Sequence, residues 1–328
     1  MEIEEPCQRL GTRLTRALGV RSGRTSRRMR RAMTEFASEG PFEQAATRIR
    51  EHYQVEVSRE RVRRICLAEA ARVAGREPEK VRTLKGDGAR WIVAEADGTM
   101  LPVVETDSAP QGYDRRKHRK VRWVETRLLA ARELGRASTH YQATMDCVDK
   151  AGELWSVAAA LAGWGSKTRI HVVSDGAPWI EQQSQRQFGK QGRFLVDLYH
   201  VCDYLAAANE RNPDFSLERQ KTMLLEGRSR ELLAELSTRL ESKETSEKEA
   251  PVRSACRYLS NRLEQLDYRT ARANGLPVGS GLIESGNRHV LQSRLKRAGT
   301  WWNPQSLRNM TQLRIAKAEG QWSRIWTN

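Results

Sequence analysis

Apolar residues recur at helical spacing in Phe42, Ala45, Ala46, Ile49 and Tyr53, directly behind Pro41. This predicts a short amphipathic helix with a proline at its first turn. After the spacer Gln54-Val55-Glu56-Val57, Ser58 is placed to cap a second helix. Its apolar residues Val62, Ile65, Cys66 and Val73 share a face, and Gly75 can end it. A helix, a short turn and a capped helix form the helix-turn-helix pattern. A linker around Gly75 to Gly88 follows, carrying Pro78 and Gly86.

From Arg90 the pattern turns to strands. Trp91 to Asp97 and Leu101 to Val104 read as extended segments around Asp97-Gly98-Thr99, and Arg122 to Ala131 and Tyr141 to Asp146 as further strands. Glu153 to Leu161 reads as a helix, Arg169 to Ser174 as an apolar strand ending in Asp175-Gly176, Trp179 to Phe188 as a helix and Phe194 to Leu198 as a strand. An antiparallel meander followed by alternating helix and strand is the RNase H-like order, so the expected class is α/β. Between about residues 203 and 275 the pattern is helical, with Leu217 to Leu240 rich in Leu, Glu and Arg and a charged Glu241 to Glu249 stretch suited to a flexible connector. This block reads as an all-α insertion. Val278 to Glu284 then leads into a helix with Val290, Leu291 and Leu295 inward, and a last helix spans roughly Gln305 to Ala318. The organisation expected is a helical region over 1–86 and an RNase H-like domain over 87–328.

Charge sharpens the picture. Lys and Arg number 57 against 41 Asp and Glu, giving a net charge of +16 and a pI near 10.0, the footprint of a nucleic-acid binder. A membrane-surface protein would need an anchor, and no run approaches the roughly 18 apolar residues of a spanning helix. The acidic start Met1-Glu2-Ile3-Glu4-Glu5 does not read as a secretory signal, so a cytoplasmic, nucleoid-associated protein is expected. Arg21, Arg24, Arg27, Arg28, Arg30 and Arg31 crowd a stretch from Pro6 to Thr34 without an acid, and Arg59, Arg61, Arg63 and Arg64 fall in the first turns of the second helix. Such clusters meet phosphate and base edges. The five cysteines, at 7, 66, 147, 202 and 256, are scattered and form no C-x-x-C pair, which disfavours disulfides and structural zinc. They read as reduced, mostly buried thiols. Trp301, Trp302, Trp322 and Trp326 near the end read as core packing of a helix pair.

Phosphodiester chemistry without a covalent protein intermediate is efficiently done by two divalent ions held by carboxylates from separate elements. Asp97, Asp175 and Glu284 are the candidates, and hard oxygen donors favour Mg²⁺ or Mn²⁺ over zinc. Asp107, at the exit of the next strand, is the alternative first acid and reads more simply as a turn-capping residue. Ser280 is placed to cap the helix that carries Glu284, with Asn287, Arg288 and Leu291 on the same face. Arg288 or Arg294 there could meet phosphate.

These residues resemble the DDE transposases of bacterial insertion sequences, closest to the Kra-type group and more distantly the Mutator-like superfamily. The resemblance rests on Ala96-Asp97-Gly98-Thr99-Met100, on Val173-Ser174-Asp175-Gly176-Ala177-Pro178-Trp179-Ile180 and on Gly279-Ser280-Gly281-Leu282-Ile283-Glu284-Ser285. Asp197-Leu198-Tyr199-His200 looks like an Asp/Cys-x-x-His signature of that superfamily, and the tail with Arg294, Lys296, Gly299 and Trp302, then Leu313-Arg314, Gly320 and Trp322, also looks like the family's. It implies an RNase H-like core with a helical insertion before the last acid. It also implies cleavage and strand transfer at terminal inverted repeats into target DNA, by a homo-oligomer on the DNA, with Asp97, Asp175 and Glu284 as catalytic metal ligands and Asp197 and His200 in support. Arg27, Arg28, Arg59, Arg61, Arg63, Arg64, Arg288, Arg294 and Lys296 are the expected DNA contacts. A transposase-derived regulator without catalysis and a plain RNase H-like nuclease are the rival expectations.

Overall fold

Ser26 accepts a hydrogen bond from the Met29 N–H and so starts α1, Arg27–Glu39. The computed structural model describes residues 25–76, 86–106, 119–210, 212, 214 and 216–327; Cys7, Arg21, Arg24, Pro78 and Asp107 lie outside the described residues. The arginine cluster conceals helix α1, which buries Ala32, Met33, Thr34, Ala37 and Ser38. It is followed by α2, Phe42–Tyr53, and α3, Arg59–Ala74, with Gln54 in the left-handed region between them and Ser58 accepting from the Arg61 N–H as expected.

Five strands form one sheet in the order β3-β2-β1-β4-β5: β1 Trp91–Thr106, β2 Arg119–Glu133, β3 His140–Thr144, β4 Arg169–Ser174 and β5 Gly192–Val196. β3 is antiparallel to β2, whereas β4 is parallel to β1 and β5 parallel to β4. The two extended segments expected around Asp97-Gly98-Thr99 are one continuous strand, because Gly98 serves a close approach rather than a turn. A Cβ there would lie 2.5 Å from Glu125 Oε1.

The chain divides into two units, one of Met1–Pro78, Met100–Val124 and Arg288–Asn328, the other of Glu79–Thr99 and Glu125–Asn287. Both units are built from separated stretches of chain, and the division runs through β1 and β2. In the first unit, α12, Pro304–Ala318, returns from the far end of the chain to pack on α3, where Met310 meets Cys66 with sulfurs 3.8 Å apart. In the second, the sheet is covered on both faces. Ile92, Ala94, Ile170 and Val172 pack with Trp155 and Ala159 of α4, Val148–Leu161, and with Ile180 and Phe188 of α5, Pro178–Phe188. Val173 and Leu195 point to the other face, into a core with α6 Leu198–Asn209, α7 Leu217–Leu225, α8 Ser229–Ser237, α9 Pro251–Ser260 and α10 Tyr268–Ala273.

The helical block is thus the second covering layer of the sheet. It opens at Leu198, earlier than the pattern suggested, since Asp197 ends β5's extension by capping α6. Glu241 to Glu249 is not a loose connector either: the Glu241 carboxylate accepts from the Val252 and Arg253 N–H groups, both at 2.8 Å, and so caps α9. After α10 come α11, Gly281–Gly286, and a π-helical turn, Asn287–Gln292. Near the C-terminus Trp302 and Trp326 are buried, but Trp301 is exposed, so only part of that tryptophan cluster is core. Among the described residues no helix is long and apolar enough to cross a membrane.

Candidate active site

β1 and β4 run parallel with Glu95 level with Val173, and the register offset is the same number of residues as separates Asp97 from Asp175. Continuing it brings the two acids to the same level, Asp97 within β1 and Asp175 just past the end of β4. Asp97 Oδ1 accepts from the Gly98 N–H at 2.6 Å and Oδ2 from the Asn287 side-chain amide at 2.6 Å. Asn287 lies three residues beyond Glu284, so the segment bearing the third acid reaches the first.

Burial raises the Asp97 pKa above the ordinary carboxylate value. The Gly98 and Asn287 donors oppose that rise, while the charges of Asp175 and Glu284 add to it. The charges of Asp175 and Glu284 therefore both act on Asp97 within one unit.

Asp175 is held differently. Its Oδ1 accepts from the Ala177 N–H at 2.9 Å, an Asx turn, and Gly176 takes φ +82°. Tyr258 of α9 donates its hydroxyl to the Asp175 carbonyl at 2.7 Å, and Arg262, 4.2 Å from the Tyr258 ring centre, donates to the Gly176 carbonyl at 2.9 Å. A Cβ on Gly176 would come within 2.8 Å of Arg262 Nε and 2.9 Å of the Tyr258 hydroxyl. The helical layer thus clamps the turn carrying the second acid.

Glu284 is exposed, and its backbone is fixed by a row of contacts. His171 Nε2 lies 2.8 Å from the Pro277 carbonyl, the Leu198 N–H donates to the Val278 carbonyl at 2.9 Å, and Asp197 Oδ2 accepts from the Ser280 N–H at 2.6 Å. Glu95 Oε2 accepts from the Ile283 N–H at 2.8 Å. Glu95 is 1% exposed, and burial pushes its carboxyl up to about 8 against the opposing Ile283 N–H. Sequence reading overlooked Glu95. Its signal was an acid inside an apolar run, two residues from Asp97 and so on the same face of β1.

Ser280 stands at the N-cap position, but its side chain makes no capping bond; its hydroxyl lies between Asp197 and, at 3.3 Å, Glu284 Oε1. The expected helical face of Glu284 with Arg288 and Leu291 is broken, because the π-helical turn from Asn287 changes the spacing. Asp197 is 2% exposed and caps α6 through the Tyr199 and His200 N–H groups at 2.6 and 3.2 Å. His200 meets Tyr204 and Tyr258 edge-on, ring centres 5.5 and 5.8 Å away.

All three acids would offer hard oxygen donors, and Asn287 leaves its Oδ1 buried with no hydrogen-bond partner beside Asp97. Both features fit a divalent cation. As placed, however, the carboxylates turn to local donors, and no group of three or more His, Cys, Asp or Glu among the described residues is gathered closely enough to hold a metal ion.

The expected DNA contacts divide. Arg28, Arg59, Arg63, Arg64, Arg288 and Lys296 are exposed, with Arg63 paired to Glu60 at 2.6 Å and Arg59 to Glu43 at 3.8 Å. Arg27 donates to the Trp326 carbonyl and Arg61 to Thr25 Oγ1 at 2.7 Å. Arg294 is 1% exposed and cannot meet phosphate. Its guanidinium lies 4.8 Å from the ring centres of both Phe42 and Trp302, and its Nε donates to the Ala37 carbonyl at 2.8 Å. The stacking that a planar guanidinium allows has drawn it into the core.

A model of the Uncharacterised protein family (UPF0236) matches residues 14–326. The chain belongs to that family. No curated protein matches it. Within this member, His171 gives a pH test of the tie to Pro277. Burial holds its pKa below the ordinary value, against the pull of the Pro277 carbonyl. The folded state therefore keeps His171 neutral while the unfolded chain takes up a proton below about pH 6.5, so its stabilising effect is complete above that pH and is lost as pH falls. Urea unfolding should show up to about 1 kcal/mol lost over the first pH unit below 6.5, and less in His171→Gln. Equal losses in both proteins would mean that His171 is not buried in neutral form.

Proposed function

We propose that this chain is a DNA transposase with an RNase H-like core, which cleaves element ends and joins them to target DNA. The observation that carries the reading is that Asp97 on β1 lies level with Asp175, just past β4, in the continued strand register and is bonded to Asn287, three residues beyond Glu284, within one unit; the charges of Asp175 and Glu284 both act to raise its pKa. The strand order β3-β2-β1-β4-β5, with the helical layer inserted before the third acid, supports the same reading.

Asp97, Asp175 and Glu284 would hold Mg²⁺ or Mn²⁺, and Asn287, whose buried Oδ1 has no partner, could add an oxygen. When bound, such ions supply Lewis-acid polarisation of the phosphodiester and neutralise the leaving oxygen. The chain's own part is positioning. Tyr258 and Arg262 fix the Asp175 turn by its carbonyls, and Glu95, Asp197 and His171 fix the backbone that presents Glu284. Rigid support of this kind is what an in-line displacement requires.

In this reading α2 and α3 are the helix-turn-helix, with Arg59, Arg63 and Arg64 exposed at the start of α3 to meet the terminal repeats. The test is cleavage and joining of duplexes bearing the matched element ends or scrambled ends, in Mg²⁺ and in EDTA. Metal-dependent joining that prefers matched ends is expected, and Arg64→Ala should reduce the preference by roughly 1–3 kcal/mol if it reads a base edge. Cleavage without joining or end preference would make the chain a nuclease, and end binding without cleavage a regulator.

A further inference from the structure

In β2 the residues 119 to 123 are all exposed, before the strand sinks into the sheet from Thr126 onward. This outer arm belongs to the first unit together with Lys296 and Arg297. It is not apolar filler: Arg119, Val121 and Trp123 alternate with Lys120 and Arg122. Trp123 is 51% exposed and Val121 48%. Two residues apart on the strand, Val121 and Trp123 share one face and form an exposed apolar patch beside cations, a feature of interaction surfaces. Lys296 Nζ stands 5.7 Å from the Trp123 ring centre, and Arg297 beside it is also exposed. Glu105 pairs with Arg122 at 2.5 Å, and the segment Arg119 to Trp123 itself carries three cations and no acid.

Lys296 is not a loose side chain on a floppy loop. Its neighbour Leu295 is fully buried, and the Leu295 carbonyl accepts from Trp302 Nε1 at 3.1 Å. Trp302 in turn is laced to the edge of β1, donating its N–H to the Pro102 carbonyl at 3.3 Å and accepting from the Val104 N–H at 2.8 Å. The ring and the ammonium are therefore presented together by fixed backbone.

We propose that Trp123 and Lys296 form a stacking site for an unpaired base of DNA, the ring taking the base face and the ammonium the neighbouring phosphate. The pairing of an exposed ring with adjacent cations is the chemistry that binds unpaired strands without reading their sequence. It rests on the reading of the chain as a DNA-processing protein and adds to it a preference for DNA whose bases are not all paired. Such a site would favour melted or distorted DNA over the intact duplex.

The test uses the full chain and three labelled DNA probes of one sequence: a single strand, a full duplex and a duplex with one unpaired base. Trp123→Ala should weaken binding to the single-stranded and bulged probes by roughly 5- to 100-fold, the range measured for losing one aromatic stack, while duplex affinity stays within about twofold. Trp123→Phe should restore most of the loss. Lys296→Ala should weaken all three probes and reduce the salt dependence of binding by about one phosphate contact. If the wild-type chain binds none of the probes, the DNA reading itself fails. If it binds them and Trp123→Ala weakens all three equally or none, only the stacking site is overturned.

Discussion

Under the proposed function, replacing Asp175 by Asn is expected to lower metal-dependent DNA cleavage by at least about a thousand-fold, because a carboxylate ligand lost from such a site forfeits several kcal/mol of transition-state stabilisation. DNA binding should stay within about twofold, since phosphate and base contacts come from elsewhere. The substitution is clean for structural reasons. Asparagine retains an Oδ1 that can accept the Ala177 N–H, so the Asx turn survives. Tyr258 and Arg262 hold the turn through the main-chain carbonyls of Asp175 and Gly176, which the change leaves in place. Cleavage at near wild-type rates in Mg²⁺, by a protein with unchanged circular dichroism, would remove Asp175 from the reacting centre and with it the three-acid site. A parallel loss of binding and cleavage would instead trace the effect to folding.

How much of this was legible in the chain depended on whether the cause was local. β4, α5 and α12 fall within a residue of the pattern that announced them, because apolar runs and cap residues act on their own segment. The spacing of Asp97 and Asp175 was readable too, since each follows an apolar run. β1 was broken in two on paper because Asp-Gly is usually a turn. What a local window does not contain is Glu125 on the neighbouring strand, whose side chain a Cβ at Gly98 would meet. α1 was obscured by its arginines, whose charge outweighed the apolar Ala32, Met33 and Ala37 on the buried side. Arg294 looked like a phosphate contact for the same reason. Its burial between Phe42 and Trp302 joins two stretches from opposite ends of the chain, which no local window contains. Glu95 and Asp197 belong to the same class, acids whose partners lie on a segment more than 80 residues away.

Asp197→Ala carries the largest expected effect on stability, about 3–5 kcal/mol. The Asp197 carboxylate accepts from the Tyr199, His200 and Ser280 N–H groups and from the Ser280 hydroxyl, so one buried side chain caps α6 and fastens the segment that leads to Glu284. Truncation orphans donors on both segments. Losing a helix cap alone costs about 1 kcal/mol, and a buried N–H without an acceptor about 1–3 kcal/mol more. Ser280→Ala, which removes only the hydroxyl, should cost about 1 kcal/mol. Asp197→Asn should fall between, because one oxygen remains to cap α6 while the new amide confronts the Ser280 N–H. Urea unfolding of the three variants checks this ranking, and a double-mutant cycle of Asp197→Ala with Ser280→Ala should be non-additive, since the two changes remove the same bond. Because the clasp also fixes the backbone before Glu284, cleavage should fall in Asp197→Asn under conditions where that protein is fully folded. A cost for Asp197→Ala below about 1 kcal/mol, less than a lost helix cap, would mean that the buried carboxylate does not hold the two segments together.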